Sequence, residues 1–269
     1  MSDLQQRALA MRRKIILTAN TKYDGHFGGC LSAVEILTVL FGGVMNVAPG
    51  ETQSENRDRF ILSKGHCALA LYAALNEFGF VSDEELLSFH ADGGEFQTHA
   101  VRNPAKGIEI SSGSLAMGFS MACGIATALK AKGSPAKVFA LTGNGEANEG
   151  LFWEAAMFAG AKELSNLCLV LDDNRMQNDG DSAKVLNVSN WDERLSSFGW
   201  EAVEVDGHDV AALESAFKTS HTDRPLAVVA KTVKGRGVPF MENSVTWHHN
   251  TMSVEQFSEA VAGLEGGVQ

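Results

Sequence analysis

At 269 residues, 45% apolar and 20% charged, the chain has the composition of a water-soluble globular protein with a sizeable core. Its net charge of −11 makes nucleic acid and anionic membrane surfaces poor partners. Four cysteines (Cys30, Cys67, Cys123 and Cys168) form no C-x-x-C pair and read as small core residues of a cytoplasmic protein in a reducing compartment. The first 13 residues are charged and lack the apolar core of a signal peptide.

Leu4 to Thr18 places Leu4, Ala8, Met11, Ile15 and Ile16 at helical spacing. A glycine-rich loop, Asp24-Gly25-His26-Phe27-Gly28-Gly29, is then expected before a second helix over Leu31 to Phe41. Arg57 and Asp58 read as a surface ion pair of little energetic weight. Phe60 to Leu62 is a short strand, and the turn after it puts His66 at the strand's carboxyl edge, opening a helix from Cys67 to Phe78. Ser82 caps a helix that starts at Asp83. Phe89 to Lys106, holding His90 and His99, reads as a long loop, and loops of this length in compact domains commonly carry function.

Ser111 to Leu129 has no charged residue and is long enough to cross a bilayer. Its serines, Thr127 and its glycines weaken transfer into lipid, so it is expected as a helix buried in protein. Val138 to Thr142 and Leu167 to Leu171 are buried-strand patterns, separated by a helical stretch whose apolar face carries Leu151, Phe152, Ala155, Ala156 and Ala159. This is a βαβ unit, and its crossover puts both following polar turns, Gly143-Asn144-Gly145-Glu146 and Asp172-Asp173-Asn174, at one edge of the sheet. Val185 to Phe198 reads as polar and helical, Trp200 to Val205 as a strand, Asp209 to Lys218 as a helix, Leu226 to Val233 as a strand, and Ser253 to Leu264 as a last helix. No repeat or linker-like run interrupts the chain, so one α/β unit with a parallel sheet over residues 1–269 is expected.

The shared edge offers oxygen ligands from Asn144 and Asn174, a backbone carbonyl near Met176, and a helix N-terminus near Glu149. Oxygen donors suit a hard cation such as Mg²⁺, and a helix N-terminus suits an anion. The combination fits a metal–diphosphate group. A capped helix after a glycine turn, with asparagines as local turn formers, would leave the same residues.

Gly143-Asn144-Gly145, with Asn174 thirty residues beyond Asn144, resembles the diphosphate-binding motif of thiamin enzymes. The text around it, G-N-G-E-A-N-E-G-L-F-W-E-A-A-M-F-A and L-D-D-N-R-M-Q-N-D-G, resembles the N-terminal half of transketolases, as do D-G-H-F-G-G, D-R-F-I-L-S-K-G-H and K-T-V-K-G-R-G. The resemblance covers nearly the whole chain and implies a diphosphate-binding fold with helices on both faces of the sheet. It implies thiamine diphosphate with Mg²⁺ (or Ca²⁺ or Mn²⁺), and a two-carbon ketol transfer from a ketose to an aldose. Catalytic roles fall on His26, His66, His99 and His248, with His249 as the neighbour that competes for the last assignment. Glu149 matches a glutamate that links cofactor sites across an interface. Cofactor contacts fall on His66, Gly113, Ser114, Leu115, Gly143, Asn144, Gly145, Glu146 and Asn174, and metal contacts on Asn144, Asn174 and Met176.

Three departures matter. Asn144 replaces a family Asp and takes an anionic ligand from the metal. Ala116 replaces a family Gly and Met117 a polar residue, in a turn that cradles thiamin. The glutamate that activates the cofactor belongs to a second domain, so a separate pyrimidine-binding subunit, paired in a heterotetramer, is implied. The alpha subunit of a 2-oxo acid dehydrogenase's decarboxylating component, and a non-catalytic subunit with weakened metal binding, are the alternatives.

Overall fold

Five short aliphatic runs pair as parallel strands: β1 (Arg59–Leu62), β2 (Val138–Gly143), β3 (Leu167–Asp173), β4 (Glu201–Asp206) and β5 (Leu226–Lys231). The computed structural model describes residues 1–219 and 223–265. Strand order is β1-β2-β3-β5-β4, so the three central strands are covered on both sides and are almost continuously apolar. Alternate residues face opposite ways. Leu62, Phe139, Leu141, Val170 and Val228 point into one core. Ile61, Ala140, Leu169, Leu171 and Val229 point into the other.

The first core is closed by α1 (Asp3–Ala19), α2 (Phe27–Ser32), α3 (Val34–Val39), α4 (Ala68–Glu77), α5 (Asp83–Leu87), and later by α10 (Val210–Phe217) and α11 (Val254–Glu265). The second is closed by α6 (Met117–Ala131), α7 (Gly150–Ala161) and α9 (Trp191–Ser197), while α8 (Ser182–Val185) is a single turn above the sheet edge. The expected parallel α/β architecture with helices on both faces is therefore present. All four cysteines are buried and free. Among the described residues, no helix is long and apolar enough to cross a membrane.

Several local expectations are corrected. Helix begins at Phe27 rather than Leu31, because Gly28 and Gly29 serve close packing: a Cβ at Gly28 would lie 2.8 Å from the Lys234 side chain, and one at Gly29 2.7 Å from Cys67 Sγ. The helix then breaks at Ala33 and ends in a wide turn over Leu40–Val44, where Gly43 takes φ 152°. Helix α6 is not buried all round, since Met117 and Met121 face outward. The polar, helical 185–198 stretch holds the end of one short helix and the whole of another. Arg57 and Asp58 are not a surface pair: both are buried, Arg57 pairs with Glu109 at 2.5 Å, and Asp58 accepts the amides of Asn46 (2.8 Å) and Lys137 (2.7 Å).

One buried contact ties the carboxyl edge together. Lys64, just past β1, forms an ion pair with Asp172 near the end of β3, with side chains 2% and 0% exposed. Ser32 of α2 donates to the same carboxylate at 2.6 Å, Asn174 donates at 3.3 Å, and the Thr232 hydroxyl after β5 donates to its other oxygen. Burial pulls Lys64 down, but the charge and hydrogen bond of Asp172, with Cys67 and Cys30 nearby, outweigh it and hold the ammonium above its usual range. Removing one partner strands the other, which costs about 3–5 kcal/mol for a buried pair. Asp172→Ala is therefore expected to lower unfolding free energy by about that much in a urea titration. Lys64→Met combined with Asp172→Leu should recover part of the loss.

Candidate active site

The two polar turns meet as the βαβ geometry requires. The Asn144 amide N–H donates to the Asp172 carbonyl at 3.2 Å, joining the end of β2 to the end of β3. Asn144 and Asn174 are 2% and 6% exposed. The Asn144 side-chain NH₂ donates to Ser182 Oγ. Asn174 Oδ1 accepts the Met176 N–H at 3.1 Å, and its NH₂ reaches Ser32 and Asp172. These turns wall a cavity of about 280 Å³ that Leu115, Gly143, Asn144, Gly145, Asn174 and Met176 line. His66, His248, Glu146 and Glu149 line it too, along with Lys64 and Lys234.

Next to it lies a cluster of imidazoles. His26 sits 5.2 Å from His66, 5.5 Å from His99, 5.5 Å from His248 and 4.4 Å from His249, ring centre to ring centre, and His66 is 5.2 Å from His248. Backbone pairing brings these distant segments together. Gly25 and Asn250 exchange hydrogen bonds of 3.0 and 3.2 Å, and Gly235 N–H donates to the Gly28 carbonyl at 2.9 Å. Gly113 backs His99, since a Cβ there would come within 3.1 Å of the ring. Burial first, and His66 second, pull His26 down to about 3. Burial, then the Lys234 charge, pull His248 to about 3 as well. Burial also lowers His99. His26 and His248 are therefore neutral near pH 7 and can each accept or donate a hydrogen bond. His248 Nδ1 lies 3.0 Å from Lys234 Nζ, so the ammonium donates to Nδ1 and the ring carries its proton on Nε2.

Not every expected contact faces the cavity. Gly113 and Ser114 lie outside its wall, as do His26 and His99, which reach it through the imidazole cluster. Glu146 lines it, but both carboxylate oxygens are in use. Oε1 takes the Ser63 hydroxyl (2.5 Å) and the Ala116 amide (2.8 Å), and Oε2 takes the Gly143 amide (3.1 Å). Burial raises this carboxyl above its ordinary range despite those donors. Glu146 thus braces the asparagine turn against the turn at Ala116. Ala116 adopts φ 64° and ψ −14°, the left-handed geometry that a glycine would take, so the turn keeps its shape at the cost of strain in a residue with a Cβ. Met117, in a position expected to be polar, points to solvent. Glu149 is exposed at the N-cap of α7, and its side chain makes no capping hydrogen bond.

The cavity also contains groups that sequence patterns did not single out. Lys64 and Lys234 stand inside longer matched stretches, but only the fold shows that both are buried at one edge. Burial, with Lys64 nearby, lowers Lys234 to about 8. Asn148 Oδ1 and Gln177 Nε2, on side chains that line the cavity, are buried with no protein partner, as is His26 Nδ1. A Cβ at the buried Gly143 would meet no protein atom within 4 Å. Orphaned donors and acceptors around such a space fit a polar ligand. Among the described residues, no cluster of three or more His, Cys, Asp or Glu side chains is placed to hold a metal, so amides and a carbonyl are what this cavity offers a hard cation.

Residues 4–263 match the family model described as transketolase, thiamine diphosphate binding domain. An apulose-4-phosphate transketolase subunit from Actinobacillus succinogenes is 35% identical over 265 residues, covering 98% of this chain and 96% of that one. A 6-deoxy-6-sulfo-D-fructose transketolase subunit from Clostridium sp. is also 35% identical, over 98% and 96% of the two chains. The crystal structure of transketolase from Campylobacter jejuni superimposes with a TM-score of 0.89 at 28% identity, but this chain spans only 42% of that protein. By these matches the chain belongs to the transketolase family, among the thiamine-diphosphate-binding A subunits of split transketolases.

Proposed function

We propose that this chain is one diphosphate-binding domain, and that with a separate pyrimidine-binding subunit in a heterotetramer it transfers a two-carbon ketol unit from an anionic ketose to an aldose. The observation that carries this is the packing of His26, His66, His99 and His248 beside the asparagine-walled cavity. Asn144 and Asn174 oxygens and the Met176 carbonyl would hold Mg²⁺, Ca²⁺ or Mn²⁺. Lys234 and the orphaned Asn148 and Gln177 groups would face the diphosphate. Thiamine diphosphate, when bound, supplies an electron sink for the carbon–carbon bond that breaks.

The residues of this chain handle protons. His26 Nδ1 is sealed off, which leaves Nε2 as the nitrogen for substrate, and a neutral ring there takes the hydroxyl proton of the ketose as its bond breaks. His248, held by Lys234 through Nδ1, presents Nε2–H as a hydrogen-bond donor to the substrate oxygen. His66 and His99 hold the two-carbon unit, and His249, paired with Asp24 at 3.0 Å, packs 4.4 Å from the His26 ring. The names of two relatives specify a phosphate and a sulfo group, which supports an anionic donor sugar. The outward Met117 and Met121 of α6, with Met157 and Phe158 of α7, offer the partner an apolar face.

The full chain mixed with its partner should transfer two carbons among phosphorylated or sulfonated ketoses only when thiamine diphosphate is present. Decarboxylation of a 2-oxo acid instead, or no transfer across such a panel, would overturn the proposal. His26→Asn should lower turnover by about 10²–10⁴-fold while cofactor affinity is kept. Above pH 8 Lys234 loses its charge, so cofactor affinity should fall between about pH 7 and 9, and Lys234→Met should flatten that dependence.

A further inference from the structure

Lys234 reaches the cavity from the loop after β5 along a tightly packed path: a Cβ on Gly28 would lie 2.8 Å from its Cγ and 2.9 Å from its Cε. With the stem buried, the place of the ammonium follows the place of the backbone at 234. That backbone is held on both sides by three side chains outside the cavity wall. Glu35 of α3 pairs with Arg12 of α1 through both oxygens, at 2.6 and 2.7 Å. Burial works against the Glu35 charge, but Arg12 and His208 outweigh it and hold the carboxyl down at about 2. Arg12 Nε donates to the Arg236 carbonyl at 3.1 Å. His208, in the turn after β4, has Nδ1 2.9 Å from Glu35 Oε2 and accepts the Val233 N–H on Nε2 at 2.8 Å. Its partners leave no choice of tautomer. A carboxylate only accepts and a backbone N–H only donates, so the His208 proton sits on Nδ1 and Nε2 is bare.

We propose that His208 is a positioning residue: by accepting the Val233 N–H it fixes the backbone that carries Lys234, and with it the ammonium that would meet a diphosphate. The inference rests on the diphosphate contact proposed for Lys234. Further bonds hold the same loop, from the Gly235 N–H to the Gly28 carbonyl and from the Asn243 N–H to the Lys234 carbonyl, each at 2.9 Å. Losing the His208 contact therefore displaces the turn without unfolding it. Two amides separate the two ends of the ring. Glutamine places an oxygen near the position of Nε2 and keeps an acceptor for Val233, whereas asparagine places its NH₂ near Nδ1 and keeps only the donor to Glu35.

The test reads thiamine diphosphate affinity by calorimetry, with Mg²⁺ at neutral pH, on the full chain assembled with its partner. His208→Asn should weaken it by about 3–10-fold, the range one hydrogen bond spans, and His208→Gln by less than about twofold. In a Lys234→Met chain, which should itself bind more weakly, His208→Asn should add less than about twofold, because the group it positions is gone. Equal losses from the two amides, no loss from either, or a loss from glutamine alone would overturn the role of His208. So would a full further loss in the Lys234→Met chain, the result that general misfolding would give. Unchanged affinity on Lys234→Met alone would overturn the diphosphate contact of Lys234, and this inference with it.

Discussion

The buried pair of Lys64 and Asp172 is the contact on which the rest of the site depends. A parallel sheet delivers all its carboxyl ends to one edge, but it does not fix the loops that leave them. Asp172 does that, because a carboxylate with no access to water must satisfy its lone pairs from neighbouring segments. The segments it recruits are the turn after β1, the end of α2, the Asn174 turn and the start of the loop after β5. Those same segments carry or adjoin His66, His26, Asn174 and His248. Lys64 also donates to the Gly29 carbonyl at 3.2 Å, which locks the glycine-rich start of α2 into place. The charge pair thus spends stability on geometry, as buried ion pairs kept for specificity do.

With the loops fixed, the imidazoles crowd. Burial, with His66 about 5 Å away, suppresses protonation of His26, and burial with Lys234 and His66 does the same to His248. The result is that His26 and His248 are held well below their ordinary range and His99 is lowered too, flanked by one ammonium at Lys234 that has itself been weakened. Such a patch holds acceptors that stay available across the neutral range. It would be costly to charge, which favours passing a proton on over storing it.

The strands, the βαβ crossover and the edge position of Asn144 and Asn174 were legible because apolar runs and glycine turns report local requirements directly. The resemblance of D-G-H-F-G-G and D-R-F-I-L-S-K-G-H to known text located His26 and His66. What stayed hidden depends on long-range contact. Gly28 and Gly29 looked like loop formers, yet they are helical glycines made necessary by Lys234 and Cys67 from far along the chain. Arg57 finds Glu109 rather than its neighbour Asp58, and no sequence spacing states that preference. Glu146 lines the cavity as expected, and its carboxylate also braces two turns, which no local pattern reports. Lys64 and Asp172 act through burial, which composition cannot report for a single residue.

Asn144 changes the electrostatic balance of the cavity in two opposed directions. A carboxylate there would grip a divalent cation harder, but it would also repel a diphosphate in a space where Glu146 already sits and where the Lys64 charge is cancelled by Asp172. An amide gives up part of the first effect and removes the second. Metal and diphosphate would enter as one complex of lower net charge, so the change in affinity for the pair is smaller than for either ion alone. An asparagine at 144 thus trades grip on a cation for weaker repulsion of the anion that would come with it.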